Sequence, residues 1–156
     1  LEDRVVSGRF NANGVDLNRN FDCKWQVKAT WRSFSVNAGT AAFSEPEAIV
    51  LRDFFLAESP KAAVFFHSAS NGVFTSFCDG DALSETVELL ETYSRTSGYP
   101  LYDSYKYYAV TGDATDWLST QGIPAITVEL STHSAIEWEK NRVGIEAMFE
   151  LYSKVE

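Results

Sequence analysis

Two short apolar segments, separated by longer amphipathic ones, constrain the fold of this chain more than any other feature. Residues 61–68 (KAAVFFHS) and 125–130 (AITVEL) are continuous apolar runs of strand length. Such runs are typical of strands buried on both faces of a sheet. A shorter strand is predicted at 73–77. Strands that alternate with helices predict an α/β fold, with a mixed β-sheet flanked by helices.

The helical segments are marked by their periodicity and by their ends. Ser44 is predicted to be the N-cap of the first helix, with Pro46 in its first turn. Asp113 is predicted to cap a shorter helix. The predicted helices span 44–58, 83–96, 114–120 and 136–155. Residues 1–44 are predicted to be mostly irregular, and residues 103–110 to be extended.

The composition describes one globular, acidic domain. The 156 residues are 45% hydrophobic and 14% aromatic, which argues against a disordered chain, and the formal net charge is -9. Proteins that bind nucleic acid normally present a basic face, so we expect no nucleic-acid partner. No apolar run approaches the roughly 20 residues that cross a bilayer, so we expect no membrane span.

Two cysteines, Cys23 and Cys78, lie far apart in the sequence. Their spacing is not that of a metal-binding knuckle. A disulfide in an exported protein and a pair of buried free thiols remain equal alternatives, because the compartment decides between them. For localisation we favour a secreted or periplasmic protein over a cytoplasmic one.

Residues 8–21 (GRFNANGVDLNRNF) combine two arginines with four asparagines. Guanidinium groups next to an amide are suited to holding a carboxylate and polarising a carbonyl, as in binding a peptide by its C-terminal end. Arg9, Asn18 and Arg19 are the candidates. Alternatively, the asparagines satisfy their own loop backbone and Arg19 pairs with Asp16 at the surface.

Three further side chains are candidates for chemistry, each with a structural alternative. His67 ends one predicted strand, where it is either a hydrogen-bonded structural residue or a zinc ligand on a rigid platform. Glu129 lies in the other apolar strand, where it is a general base with a raised pKa, an outward-facing residue or the partner of an arginine. Tyr108 either packs against its neighbours or covers a substrate.

These residues occur in an order that resembles the zinc metallocarboxypeptidases of the carboxypeptidase A/T type. Residues 14–21 (GVDLNRNF) are similar to the signature loop of that family. The helix start at 44–47 (SEPE) and the strand that ends at His67 follow in the same order as in the family. Tyr108 upstream of a glycine and of Asp116-Trp117, and then the strand around Glu129, complete the pattern. The resemblance runs from about Arg9 to the C-terminus.

The resemblance implies a role for each of seven residues. Glu129 is the expected general base that takes a proton from zinc-bound water, and Arg9 the expected group that polarises the scissile carbonyl. The other five are expected to bind zinc or substrate: His67 as the third zinc ligand, Asn18 and Arg19 as a clamp on the terminal carboxylate, Tyr108 as its cover, and Thr115 in the pocket for the terminal side chain.

The sequence departs from the family at the zinc ligands. The family takes two of them from an upstream His-x-x-Glu motif, whereas this chain has only His67 and His133. We therefore expect the other ligands upstream of Leu1. Residues 1–156 are then the C-terminal portion of one catalytic domain, with an incomplete sheet and no activity in isolation. A fragment, a nicked piece associated with its N-terminal half, and a zinc-free peptide-binding pseudoenzyme remain open.

The expected function is zinc-dependent removal of a C-terminal residue from peptides. Residues 44–47, 111–113 and 123–127 are also similar to bacterial relatives that cleave peptidoglycan stem peptides, which is the alternative. Side-chain preference stays open, because Thr115 is neutral. The sequence neighbours Asp113, Asp79 and Asp81 suggest an acidic rim that tolerates lysine or arginine.

Overall fold

The computed structural model describes residues 8–153. These residues form a mixed α/β structure with four helices, which confirms the predicted fold class. The elements in chain order are a 3₁₀ turn (Leu17–Arg19), β1 (Lys28–Trp31), β2 (Phe34–Asn37), α1 (Pro46–Glu58), β3 (Ala63–Ser68), β4 (Gly72–Thr75), α2 (Ser84–Ser97), β5 (Leu101–Tyr102), α3 (Ala114–Thr120), β6 (Ala125–Leu130) and α4 (Trp138–Ser153). None of the helices within residues 8–153 is long and apolar enough to cross a membrane.

The main sheet has four strands in the order β3-β6-β4-β5. The pairs β3–β6 and β4–β5 are parallel, and β4–β6 is antiparallel, so the sheet is mixed as predicted. The expectation that β3 is buried on both faces is wrong for the described residues. There β3 is an edge strand and Phe66 is 45% exposed, because no described strand pairs with its outer side.

The two faces of this sheet pack against different helices. Strand alternation points Ala63 and Phe65 toward one core, which also holds Phe55 of α1 and Trp117 of α3. Val64 points toward the other core, which contains residues of α2 and α4. His67 and Glu129 continue the alternation on the face that packs against α1 and α3. Both candidate residues therefore lie on the same side of the sheet.

The prediction that residues 1–44 are mostly irregular misses one hairpin. Strands β1 and β2 pair in antiparallel register, from Lys28 opposite Asn37 to Trp31 opposite Phe34. Alternate side chains of the hairpin bury a small separate core around Trp31 and Val36. The segment 103–110, predicted to be extended, contains no strand, because strand pairing ends with β5 at Tyr102. Its tyrosines pack on one another instead.

Two helix caps were predicted, and one of them is correct. Asp113 caps α3 by accepting hydrogen bonds from the backbone N–H groups of Thr115 and Asp116. The N-cap of α1 is Glu45 and not Ser44. The Ser44 hydroxyl is instead held by the Asn20 amide at 3.1 Å, which removes it from the capping position.

A disulfide joins Cys23 and Cys78, which settles the alternative that the sequence left open. It connects the loop after the 3₁₀ turn to the segment that follows β4. Gly112 reinforces this junction, since its N–H donates to Cys23 O at 2.7 Å and its carbonyl accepts from Phe21 N–H at 3.1 Å. Three segments that are distant in sequence thus meet beside the candidate site.

Candidate active site

One cavity of about 970 Å³ opens above the sheet face that carries His67 and Glu129. All seven residues that the sequence singled out line it: Arg9, Asn18, Arg19, His67, Tyr108, Thr115 and Glu129. Their individual roles remain predictions. Charged or aromatic side chains that the sequence reasoning did not place there also line the cavity: Lys24, Trp31, Arg32, Tyr105 and Asp116.

Glu129 and His67 are paired residues on neighbouring parallel strands. The carboxylate oxygen Oε2 of Glu129 is buried and has no hydrogen-bond partner within residues 8–153. Burial raises the pKa of Glu129, while His67 and a backbone hydrogen bond from Ser70 oppose the rise. A buried carboxylate with one unpaired oxygen beside a cavity is poised to exchange a proton with a bound molecule.

Arg9 is held in the cavity wall by two contacts. Its Nε donates to Asp16 Oδ2 at 2.6 Å, and its guanidinium carbon lies 4.7 Å from the centroid of the Trp31 ring. Asp16 is only 2% exposed, so it is a fixed anchor for the guanidinium. The pairing also excludes the alternative that Asp16 is the surface partner of Arg19.

The 3₁₀ turn Leu17–Arg19 places Asn18 and Arg19 side by side. Arg19 is 2% exposed, and it donates through Nε to Thr30 O at 3.1 Å and through an Nη to Asn18 O at 2.5 Å. Asn18 donates from Nδ2 to Asp113 Oδ2 at 2.8 Å. Gly112 passes so close to the Arg19 backbone that a Cβ at this position would collide with it. The two side chains are therefore preorganised at the cavity wall.

Tyr108 packs against its aromatic neighbours at the cavity wall. Its ring packs edge-to-face on Tyr105, with centroids 5.1 Å apart, and lies 6.0 Å from the Arg19 guanidinium carbon. Tyr105 in turn contacts Phe74 of β4, with centroids 5.3 Å apart. Tyr108 thus packs at the cavity wall beside the Arg19 guanidinium, and its role as the cover of a bound carboxylate stays a prediction.

The start of α3 supplies the acidic part of the cavity, but not as predicted. Thr115 donates from Oγ1 to Asp113 Oδ1 at 2.5 Å, so both residues are engaged in capping the helix. Asp79 and Asp81 are exposed and do not line this cavity. Asp116 does line it, and burial together with the nearby Asp113 raises its pKa to about 7. In the sequence, Asp116 stands out only as a member of the Asp116-Trp117 pair of the family pattern.

The described residues do not by themselves fit a catalytic zinc ion, which needs three protein ligands. No group of three or more His, Cys, Asp or Glu residues within 8–153 is arranged to hold a metal. His67 is the imidazole that lines the cavity. The other histidine, His133, shares a hydrogen bond of 2.9 Å with the Ser68 hydroxyl through Nδ1.

The fold and the cavity define an α/β protein in which two arginines and an asparagine amide line the same cavity as a buried carboxylate. Residues 2–152 match the family model described as zinc carboxypeptidase, and the chain belongs to that family of metallopeptidases.

Known members of the family give further similarity. The chain is 30% identical over 130 residues to gamma-D-glutamyl-L-diamino acid endopeptidase 1 of Lysinibacillus sphaericus, covering 80% of this chain and 32% of that protein. It is 30% identical over 137 residues to murein peptide amidase A of Vibrio campbellii, covering 81% and 52%. The crystal structure of the murein-tripeptide amidase MpaA from Escherichia coli O157 superposes with a TM-score of 0.69 at 25% identity, covering 90% and 59%. The chain thus spans about half or less of the two relatives matched by sequence.

Proposed function

We propose that this chain carries the substrate-binding and proton-transfer half of a peptidase site. The site would hydrolyse the amide bond to a residue that has a free α-carboxylate. The observation that supports this most directly is the buried Glu129 Oε2, which has no partner within residues 8–153. Glu129 lines the same cavity as Arg9, Asn18 and Arg19. A carboxylate is costly in such a place unless it is used.

Each side chain then has a task that its contacts support. Glu129 takes a proton from the attacking water and gives it to the leaving amine. Asn18 and Arg19 bind the free carboxylate of the leaving residue, since both are preorganised by their bonds to Asp113 and Thr30. Arg9, fixed by Asp16, faces the carbonyl of the scissile bond and stabilises the negative charge that develops there.

We further propose that His67 contributes one of the zinc ligands and that residues outside this sequence supply the rest. Its ring lines the cavity and forms no hydrogen bond with another residue of the described range 8–153. When bound, zinc supplies Lewis-acid polarisation of the reacting groups. The imidazole at the end of a paired strand provides a rigid position for one such bond.

Two substrate classes fit this site. The first is an ordinary peptide that loses its C-terminal residue. The second is a peptidoglycan stem peptide, and two relatives at 30% identity favour it, since they are named as a murein peptide amidase and a gamma-D-glutamyl-diamino acid endopeptidase. The disulfide between Cys23 and Cys78 fits a secreted or periplasmic location, which we propose for either substrate.

The test compares residues 1–156 with the longest protein that the same gene encodes, both supplied with zinc. The substrates are a panel of peptides with different C-terminal residues and a γ-D-glutamyl-diamino acid tripeptide. We expect turnover by a protein that carries an upstream His-x-x-Glu motif, and its loss in Glu129→Gln. Lack of turnover of every substrate by such a protein would overturn the proposed function.

The same comparison tests the expected inactivity of the isolated chain. Measurable hydrolysis by residues 1–156 alone would contradict the need for upstream zinc ligands. If the gene encodes no His-x-x-Glu motif before Leu1, a zinc-free peptide-binding protein replaces the enzyme as the proposed function.

A further inference from the structure

Arg32 is a guanidinium in the cavity wall whose donors are unused. It lies at the tip of the β1–β2 hairpin, and its neighbours Trp31 and Ser33 line the cavity with it. The Arg32 side chain is exposed and forms no hydrogen bond or ion pair within residues 8–153. Its guanidinium carbon instead lies 5.0 Å from the centroid of the Trp31 ring. The N–H groups of this guanidinium are therefore available to a bound molecule.

The other basic side chains of the cavity wall are already engaged. Three of them have acceptors: Arg9 in the Asp16 carboxylate, Lys24 in the Asp79 carboxylate, and Arg19 in two backbone carbonyl groups. Among the lysines and arginines of the described range that line this cavity, Arg32 is the one without an acceptor. An anionic group that enters the cavity can pair with it at no cost to an existing ion pair.

The backbone conformation indicates that the hairpin turn does not itself favour arginine. Arg32 and Ser33 form a two-residue connection between Trp31 and Phe34, which are paired. Such connections require positive φ angles and usually have glycine or asparagine there, because these residues tolerate them best. Arg32 has a φ of 54°. A less favourable backbone is thus retained at a position whose side chain lines the cavity, which is typical of functional sites.

Trp31 holds the Arg32 guanidinium close to that of Arg9. The indole is only 9% exposed and stacks on Phe34 with ring centroids 6.1 Å apart, so it is a fixed platform. The guanidinium carbon of Arg9 lies 4.7 Å from the centroid of the same ring. A guanidinium that stacks on an aromatic ring keeps its edge free for a bidentate contact with a carboxylate. Arg32 therefore offers a carboxylate site next to Arg9.

Strand β1 orders three guanidinium groups along the cavity wall. Thr30 O accepts a hydrogen bond from Arg19 Nε at 3.1 Å. The next residue, Trp31, contacts Arg9, and Arg32 follows at the tip. Successive residues of a strand advance by about 3.3 Å. In the proposed function, Arg19 binds the α-carboxylate of the leaving residue and Arg9 faces the scissile carbonyl. Arg32 then lies on the acyl side of that carbonyl.

We propose that Arg32 is a specificity-determining residue that binds a carboxylate on the acyl side of the scissile bond. The preferred substrate then has two free carboxylates, one on the leaving residue and one on the acidic residue before it. The second is a side-chain carboxylate if that acidic residue is linked through its α-carbonyl, and an α-carboxylate if it is linked through its side chain. The inference rests on the proposed function, because it takes Arg19 and Arg9 to fix the direction of the bound peptide.

The experiment measures binding of N-acetylated dipeptides to residues 1–156 by NMR titration at pH 7, which requires no catalysis. All of the dipeptides end in L-norleucine, and they form two matched pairs. The first pair has α-linked L-glutamyl or L-glutaminyl before norleucine. The second pair has γ-linked D-glutamyl or its α-carboxamide. Wild-type protein should bind the carboxylate member of at least one pair about five-fold more tightly than its carboxamide, as expected of an exposed arginine–carboxylate pair. The pair that shows the preference identifies the linkage.

Two variants remove the guanidinium, and a third is the matched control. Arg32→Gln should bind both members of each pair equally and keep the wild-type affinity for the carboxamides. Arg32→Gly should behave in the same way, and glycine suits the φ of 54°, so the turn is preserved. Arg95→Gln removes the same charge from α2, outside this cavity, and should leave the preference unchanged.

The outcomes distinguish this inference from the proposed function. Equal binding within both pairs by wild-type protein overturns the role of Arg32 and leaves the clamp intact. A preference that persists in both Arg32 variants also overturns it, because another group would then bind the second carboxylate. Loss of all four dipeptides in both folded variants overturns it as well, since the residue would then be structural. If wild-type protein binds none of the dipeptides, the clamp itself fails, and the proposed function falls with it.

Discussion

Glu129 of β6 stands beside His67 of β3 in a parallel ladder, and the two side chains share the sheet face that packs against α1 and α3. On the other side of β6, Glu129 pairs with Gly72 of β4, where a Cβ would collide with the Tyr102 ring. Sheet pairing thus fixes the spacing of the imidazole and the carboxylate. The cavity above them is free to hold a ligand.

The raised pKa of Asp116 predicts a pH-dependent stability. Its ordinary pKa is 3.8 and its folded value is about 7, so the folded state binds the proton more tightly than the unfolded state. Stability should therefore fall as pH rises from 4 to 8, by up to about 4 kcal/mol from this group. Urea unfolding across this range should show the fall in wild-type protein and a smaller one in Asp116→Asn. Parallel curves for the two proteins would contradict the prediction, and Asp81→Asn controls for net charge.

The amide of Asn20 should be a large contributor to stability. It is 0% exposed, its Nδ2 donates to Ala38 O at 2.7 Å and Ala41 O at 3.0 Å, and its Oδ1 accepts from Glu45 N–H at 3.1 Å. Asn20→Ala leaves these buried groups unpaired, so we expect a loss of about 3 kcal/mol in the free energy of unfolding.

Asn13→Ala is the matched control for Asn20, because it removes an exposed amide that contacts only the Glu45 side chain. We expect it to cost less than about 1 kcal/mol in chemical denaturation. Similar losses for the two variants would show that the Asn20 network does not stabilise the loop as its contacts indicate.

The disulfide should stabilise the chain mainly by restricting its unfolded state. Cys23 and Cys78 are separated by 55 residues, for which the chain-entropy relation gives about 4 kcal/mol. A double Cys→Ser variant should unfold at a lower denaturant concentration than oxidised wild-type protein. Reduction should bring the wild-type midpoint down to that of the variant and leave the variant unchanged. If reduction left the wild-type midpoint unchanged, the disulfide would not contribute to the stability of the chain.

Substitutions at Asp113 should separate helix capping from the support of the clamp. Asparagine caps helices as well as aspartate does, but its NH2 group cannot replace the oxygen that accepts from Asn18. Asp113→Asn should therefore cost less than about 1 kcal/mol of stability. It should still weaken several-fold the binding of L-norleucine, a free amino acid with an α-carboxylate, as measured by NMR titration. Asp113→Ala should lose both the helix cap and the acceptor for Asn18. The loss of the cap should cost about 1 kcal/mol of stability. Unchanged norleucine affinity in both variants would show that Asp113 does not orient the Asn18 side chain for binding.

Local chemistry explains which parts of the fold were predictable. Five elements begin and end within two residues of their predicted ranges at most ends: β3, β6, α1, α2 and α3. They were predictable because their apolar periodicity and the Asp113 cap are properties of neighbouring residues. The hairpin β1–β2 was missed, since its short strands depend on pairing with each other and on burying Trp31. Ser44 failed as a cap because Asn20, distant in sequence, holds its hydroxyl.

The sequence by itself determined the chemical types at the site: two arginines and an amide near the start of the chain, a histidine ending one strand and a glutamate inside another. Their common cavity, the disulfide beside it and the edge position of β3 were decided by the tertiary structure. Asp116 shows the difference clearly, because the sequence marks it only as part of the Asp116-Trp117 pair of the family pattern. Its hydrogen bond from the Phe77 backbone N–H and its place in the cavity wall depend on contacts between segments that are distant in sequence.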